Sequence, residues 1–430
     1  MKTKHFDQLN ETLYHEQLDN GLEVYILPKE GFHKTFATFT TKYGSIDQQF
    51  IPLKEKETIT VPDGIAHFLE HKLFESEEGD VFQQFSQQGA SANAFTSFTR
   101  TAYLFSSTSN VQKNVETLID FVQDPYFTEE SVEKEKGIIE QEIKMYDDNP
   151  DWRLYFGLIS SLYEKHPVRN DIAGTVDSIY EITKDALYTC YETFYHPSNM
   201  VLFIVGNVDA EEMMTFVREN QSQKSFAPPE EIERFYEAEP QEVNRKEHVV
   251  NMNINTSKCL VGFKDKDPTL QGEKLLKHEL SLSIALELMF GLSSDNYQSL
   301  YKEGLIDGSF SFDYSGEYGF GFSVIGGDTD DPDTLAERIQ TMVSDFTSKP
   351  MDAYADALEA TRKKKIGSFL RSLNSPEFIA NQFTRYRFND MDLFDCIPVL
   401  EGLSLEDVQE AVHDHFDTKT QMTTCMVKPK

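Results

Sequence analysis

Residues 63–80 read DGIAHFLEHKLFESEEGD and contain His67-Phe68-Leu69-Glu70-His71, two histidines four apart with a glutamate against the second. Four residues of α-helix turn through about 400°, so the imidazoles of His67 and His71 project side by side and can chelate one ion. Asp63 stands where an N-cap is expected, its carboxylate accepting bonds from the first free amides. Glu70 falls at the edge of the same face, where a carboxylate can reach a metal-bound water without being a ligand, as a general base must. The order His-x-x-Glu-His inverts the commoner zincin order. The bland alternative is three polar residues on an ordinary amphipathic helix.

Two imidazoles leave a tetrahedral zinc one protein ligand short if the fourth position stays open to water. Residues 132–148, VEKEKGIIEQEIKMYDD, offer a candidate. Glu135 and Glu142 are seven apart, within about 20° of each other on a helix, beside Ile138 and Ile139 that would seat it on the core. Acidic helix faces such as Glu133, Glu135, Glu140 and Glu142 are commonly just solvated, so this segment gains meaning only beside the histidines.

Working outward, 430 residues suit two to three domains, and 39% apolar with 12% aromatic side chains suffice for real cores. The 73 acidic against 40 basic side chains give a formal charge of -33. Such a charge repels phosphate backbones and anionic lipid, so nucleic acid is not an expected partner. The N-terminus MKTKHFDQLNETLYHEQ has no apolar core of a signal peptide, and no window approaches a membrane span, which points to the cytoplasm. Cys190, Cys259, Cys396 and Cys425 lie far apart without CxxC spacing and read as buried free thiols.

From about 220 to 246 the apolar periodicity lapses into a Pro- and charge-rich stretch, an expected interdomain linker. On either side, ETFYHPSNMVLFIV (192–205) aligns without gaps to DHFDTKTQMTTCMV (414–427), pairing Phe194 with Phe416, Met200 with Met422 and Val205 with Val427. In both, a helical pattern runs into a short apolar strand, which suggests a duplicated domain. Within the first half GLEVYILP and TFATFTTKYGS read as strands and SANAFTSFTRTAYLFSST as two more. Helical patterns cover 63–75, 110–122, 128–146 and 151–164. Strands clustered around several helices without regular alternation imply an α+β layer.

Together these segments resemble the M16 metallopeptidases, the inverzincin family that includes pitrilysin, insulin-degrading enzyme and the mitochondrial processing peptidase. GIAHFLEHKLFE (64–75) is similar to the family's motif helix, and 70 residues separate His71 from Glu142, close to its spacing to a third ligand. GASANAFTSFTRTAYLF (89–105) resembles its substrate-side strand and YHPSNMVLFIVGNVD (195–209) its domain-closing strand. The resemblance implies two homologous α/β-sandwich domains, each a mixed, mainly antiparallel sheet with helices packed on it. Residues 1–222 would form the metal-bearing domain, 223–246 the linker, and 247–430 a C-terminal domain without the metal motif. It further implies Zn2+ held by His67, His71 and Glu142, Glu70 as the base, and Glu135 orienting a ligand. Asn93 and Ala94 would lie on the strand that pairs with the substrate backbone.

One departure stands out. Active members use an arginine and a tyrosine seven apart, whereas LYKEGLIDGSF (300–310) has Tyr301 and Gly308 at those places. The family's closed chamber needs four such domains and this chain supplies two. The expectation is therefore a zinc endopeptidase subunit that hydrolyses unfolded peptides or leader segments. It would pair with a related subunit supplying the Arg/Tyr pair, as in a half-length bacterial subgroup, or form a homodimer. The alternative is a non-catalytic assembly or peptide-binding subunit. No histidine lies between His278 and His413, so the second half carries no further copy of the motif. His413 and His415, two apart on a helix, are expected at the surface, and His196 before Pro197 in a turn.

Overall fold

The run MVLFIVG at 200–206 is apolar without alternation, the pattern of a strand covered on both faces. In the computed structural model, which describes every residue except Glu78, all seven of these residues are buried. They form the middle of one sheet. Its strands are β1 (Lys2–Phe6), β2 (Glu11–Gln17), β3 (Glu23–Pro28), β4 (Thr35–Thr41), β5 (Ala90–Thr96), β6 (Thr101–Ser107) and β7 (Met200–Gly206), in spatial order β1-β2-β3-β7-β4-β6-β5. β7 runs parallel to β3 and antiparallel to β4. A second sheet comprises β8 (Glu247–Met252), β9 (Ser257–Lys264), β10 (Ser311–Glu317), β11 (Phe320–Thr329) and β12 (Met422–Pro429), in order β8-β12-β9-β11-β10. Here β12 is parallel to β8 and antiparallel to β9. The second sheet thus repeats the order and directions of β3-β7-β4-β6-β5, and its inserted strand β12 ends the 414–427 segment as β7 ends 192–205.

The helices that bear on function are α1 (Ile65–Leu73), α2 (Val111–Val122), α3 (Glu129–Asp147), α4 (Pro150–Leu162), α5 (Lys184–Phe194), α6 (Gly272–Phe290), α7 (Pro376–Phe388) and α8 (Leu405–His415). Packing partitions the chain into one unit of Met1–Ile143, Asp171–Tyr236 and Ser372–Phe388, and another of Lys144–Asn170, Glu237–Arg371 and Asn389–Lys430. This partition crosses the linear order of the sequence. α4, from the first half, packs on β8, β9 and β12, and α7, from the second half, packs on β4 and β7. Periodicity shows that a helix has an apolar face but not which sheet covers it.

The segment 223–246 has no helix and only an isolated bridge, Phe50 to Arg234. It is nonetheless fastened. In the first unit Arg234 Nε meets buried Asp47 Oδ1 at 2.9 Å, and the Tyr236 hydroxyl donates to the same oxygen at 3.0 Å. In the second unit the Glu239 carboxylate accepts the backbone N–H groups of Glu164, Lys165 and His166 at 2.7–2.9 Å, just past the end of α4. All four cysteines are free and buried.

Candidate metal centre

α1 begins differently from the capping expectation. Its N-cap is Gly64, at φ 85, and no side chain caps the helix, so Asp63 is not the cap. The chain must turn sharply here: a Cβ on Gly64 would lie 2.4 Å from the Ala173 carbonyl oxygen, a left-handed and crowded position that only glycine fills easily. The Asp63 carbonyl instead accepts from Ser178 Oγ at 2.9 Å. Eight of the nine residues of α1 are buried, so its polar residues face the interior of the unit.

His67 and His71 stand one turn apart with ring centroids 4.5 Å from each other. Glu142, near the end of α3, faces both: its carboxylate oxygens lie 3.8 Å from His67 Nε2 and 3.6 Å from His71 Nε2. These distances exceed hydrogen-bond length. They approach the separation of about 3.3 Å between ligand atoms on a tetrahedral zinc with bonds of about 2.0–2.1 Å. One donor atom from each of the three residues lies within 4.8 Å of the others. Two imidazole nitrogens and a carboxylate oxygen are the donor set zinc accepts, so the residues present fit that ion.

Glu135, two turns before Glu142, is buried and its Oε1 bonds His71 Nδ1 at 3.0 Å. That bond leaves Nε2 as the His71 atom facing Glu142. Burial would lower the His71 pKa, but the Glu135 hydrogen bond and nearby carboxylates raise it above the ordinary value. His67 is pushed down to about 4, by burial and then by His71, and so presents a neutral ring at pH 7. Its Nδ1 is buried without a hydrogen-bond partner among the described residues, so it lacks the orienting bond His71 has. Of the two isoleucines expected to seat α3, Ile139 is fully buried while Ile138 is 47% exposed, because adjacent helical residues point about 100° apart.

Glu70 is 8% exposed, and Thr96 Oγ1 donates to its Oε2 at 2.6 Å. Burial raises its pKa, and the Thr96 bond, which favours the charged form, opposes the rise. Sequence reasoning missed Thr96. Its only signal was its place at the end of the SANAFTS strand. Nearby, the Tyr103 and Tyr195 hydroxyls share a buried 2.8 Å hydrogen bond, and burial with the Glu70 charge keeps both phenols protonated.

Asn93 and Ala94 lie on β5, the outermost strand of its sheet, paired only with β6 among the described residues. Asn93 Oδ1 accepts the Ala94 N–H at 2.9 Å. Tyr301 is 58% exposed on a short helix, Asp295–Lys302, and Gly308 lies in the connection to β10. His413 is exposed, but His415 is fully buried, contrary to the surface expectation: at the last position of α8 it is held by Asp265 and Ser323. His196 sits in a turn, accepting the Ser198 N–H at 3.2 Å. Among the described residues no helix is long and apolar enough to cross a membrane.

Known proteins resemble the chain along its whole length. Residues 59–176 match the family described as Insulinase (Peptidase family M16), and residues 181–355 match the Peptidase M16 inactive domain. The uncharacterised zinc protease YmfH of Bacillus subtilis is 62% identical over 430 residues, all of both chains. A solved M16-like peptidase structure from Alicyclobacillus acidocaldarius superposes with a TM-score of 0.94 at 42% identity, covering 98% of this chain and 99% of that one. A protease from Helicobacter pylori, at 21% identity, TM-score 0.81 and coverage of 97% and 99%, shares the fold.

Proposed function

The chain belongs to the peptidase M16 family, and from that premise we propose that it is the metal-bearing subunit of a cytoplasmic zinc endopeptidase acting on unfolded peptides or leader segments. The observation that carries this reading is the convergence of His67 Nε2, His71 Nε2 and the Glu142 carboxylate, with Glu70 buried beside His71. His67, His71 and Glu142 would hold the ion, and Glu135 would fix His71 in the tautomer that presents Nε2. Zinc bound there supplies Lewis acidity, polarising a scissile carbonyl and making a water acidic near neutral pH. Glu70 takes the proton from the attacking water and delivers it to the leaving amine nitrogen. An extended peptide adding to the outer edge of β5 would take the Ala94 N–H from Asn93, so main-chain bonds would hold it with broad sequence tolerance.

Tyr301 and Gly308, where the family resemblance implies arginine and tyrosine, support dependence on a related subunit that supplies the pair. The same substitution favours a second reading, an M16-fold subunit that binds peptide or partner without cleaving. Affinity purification from the native cell tests both. A related M16 chain is expected to co-purify and to be needed for peptide cleavage. A monomer or homodimer with full activity removes the partner, and a purified pair without turnover favours the second reading.

Because Glu70 must be ionised to accept a proton, its pKa sets the acid limb of kcat/KM. Thr96→Val removes a bond that favours the carboxylate, so Glu70 should titrate at higher pH and the acid limb should move up. A pH–rate profile measures this, and an acid limb that stays put or moves down counts against Glu70 as the base.

A further inference from the structure

The second unit contains another meeting of metal-capable side chains, assembled from three elements and not from a repeat of the His-x-x-Glu-His motif. Asp265 directly follows β9, His278 lies in the second turn of α6, and His415 ends α8. One donor atom from each lies within 4.8 Å of the others. Asp265 Oδ1 is bonded to His415 Nδ1 and lies 3.4 Å from His278 Nε2, while the Tyr314 hydroxyl donates to Oδ2 at 2.6 Å. On the far side of the His415 ring, Nε2 meets Ser323 Oγ at 2.7 Å.

The fold makes room for this carboxylate. Gly316 and Gly321 face each other across β10 and β11. A Cβ on Gly321 would lie 2.0 Å from Asp265 Oδ2, and one on Gly316 would lie 2.4 Å from the Tyr314 hydroxyl. Any side chain at either position would displace the cluster.

A carboxylate this deeply buried needs a counter-charge. Among the described residues the only ion-pair partners of Asp265 are the two imidazoles, with neither lysine nor arginine against it. A proton on one ring or a divalent cation among the three side chains can supply the charge. Two features favour the cation. The donors are again two imidazole nitrogens and a carboxylate oxygen, the set found at the first site. The remote nitrogen of His415 also has a fixed partner in Ser323, the kind of outer bond that sets the orientation of a ligating imidazole.

We propose that Asp265, His278 and His415 form a second divalent-cation site, of the zinc class, which ties the end of β9 to α6 and α8. His415 and Ser323 are wholly buried, so this site serves structure and does no hydrolysis.

The test is zinc stoichiometry on the full-length protein, loaded with Zn2+, freed of excess by gel filtration and measured by atomic emission. Wild type is expected to hold two equivalents per chain, and His278→Gln and His67→Gln one each. Added Zn2+ should raise the melting temperature of His67→Gln but not of the double variant. A folded wild type with no zinc, or a folded His67→Gln variant with none, overturns the proposal and leaves the cluster a proton-held network. Failure of the first site reads differently: zinc would then persist in His67→Gln and vanish in His278→Gln. Where His278→Gln fails to fold, the wild-type and His67→Gln counts decide: zinc kept by His67→Gln supports the second site, and zinc lost from it overturns it.

Discussion

Glu70→Gln is expected to lower kcat for peptide hydrolysis by about 10²–10⁴-fold, the usual contribution of a positioned general base, while zinc content stays at the wild-type level. The separation follows from the geometry. Glu70 is outside the group of donor atoms formed by His67, His71 and Glu142, and its Oε2 is engaged by Thr96. Glutamine keeps the volume and an acceptor oxygen for the Thr96 hydroxyl but cannot take a proton. A variant that loses zinc along with activity would mean that Glu70 acts as a ligand. A variant as active as wild type would remove it from the chemistry.

Glu142→Gln should strongly weaken metal binding, because among the described residues it removes the only carboxylate facing both imidazoles. Glu135→Gln serves as the internal comparison. It weakens an orienting bond to His71 Nδ1 without touching the donor set, and changes of that kind typically cost about 10–100-fold in affinity. Competition with a chromophoric zinc chelator ranks the two. Glu142→Gln is expected to lose more than Glu135→Gln, and activity is expected to follow bound zinc in both. The reverse order would make Glu135 the ligand and Glu142 the orienting group.

Much of this was legible in the sequence because the decisive signals are local or periodic. His67 and His71 are brought together by one helical turn, and Glu135 and Glu142 share a face by their seven-residue spacing, so each pair needs only a helix to form. That the two pairs meet depends on how α1 and α3 pack, which periodicity does not encode; the family resemblance supplied that link. β3 to β7 and β12 followed from apolar runs and alternation, whereas β1, β2 and β8 to β11 were not read from the sequence; the 192–205 and 414–427 echo corresponds to the repeated topology around β7 and β12. What escaped depends on tertiary neighbours. Thr96 reaches Glu70 from a different element, α4 and α7 cover sheets from the opposite half of the chain, and Gly64 displaced Asp63 as the cap because Ala173 crowds that turn. His415 was expected at the surface from its two-residue offset to His413. An amphipathic helix end gives no hint that Asp265 and Ser323 wait beneath it.

On the proposed function, three side chains, two from α1 and one from α3, share a single zinc ion. An anomalous difference map from crystals of zinc-loaded protein, collected at the zinc absorption edge, tests it most directly. A peak bonded to His67 Nε2, His71 Nε2 and a Glu142 carboxylate oxygen at about 2.0–2.2 Å is the expected result. Zinc-loaded crystals with no peak among those three atoms would contradict it.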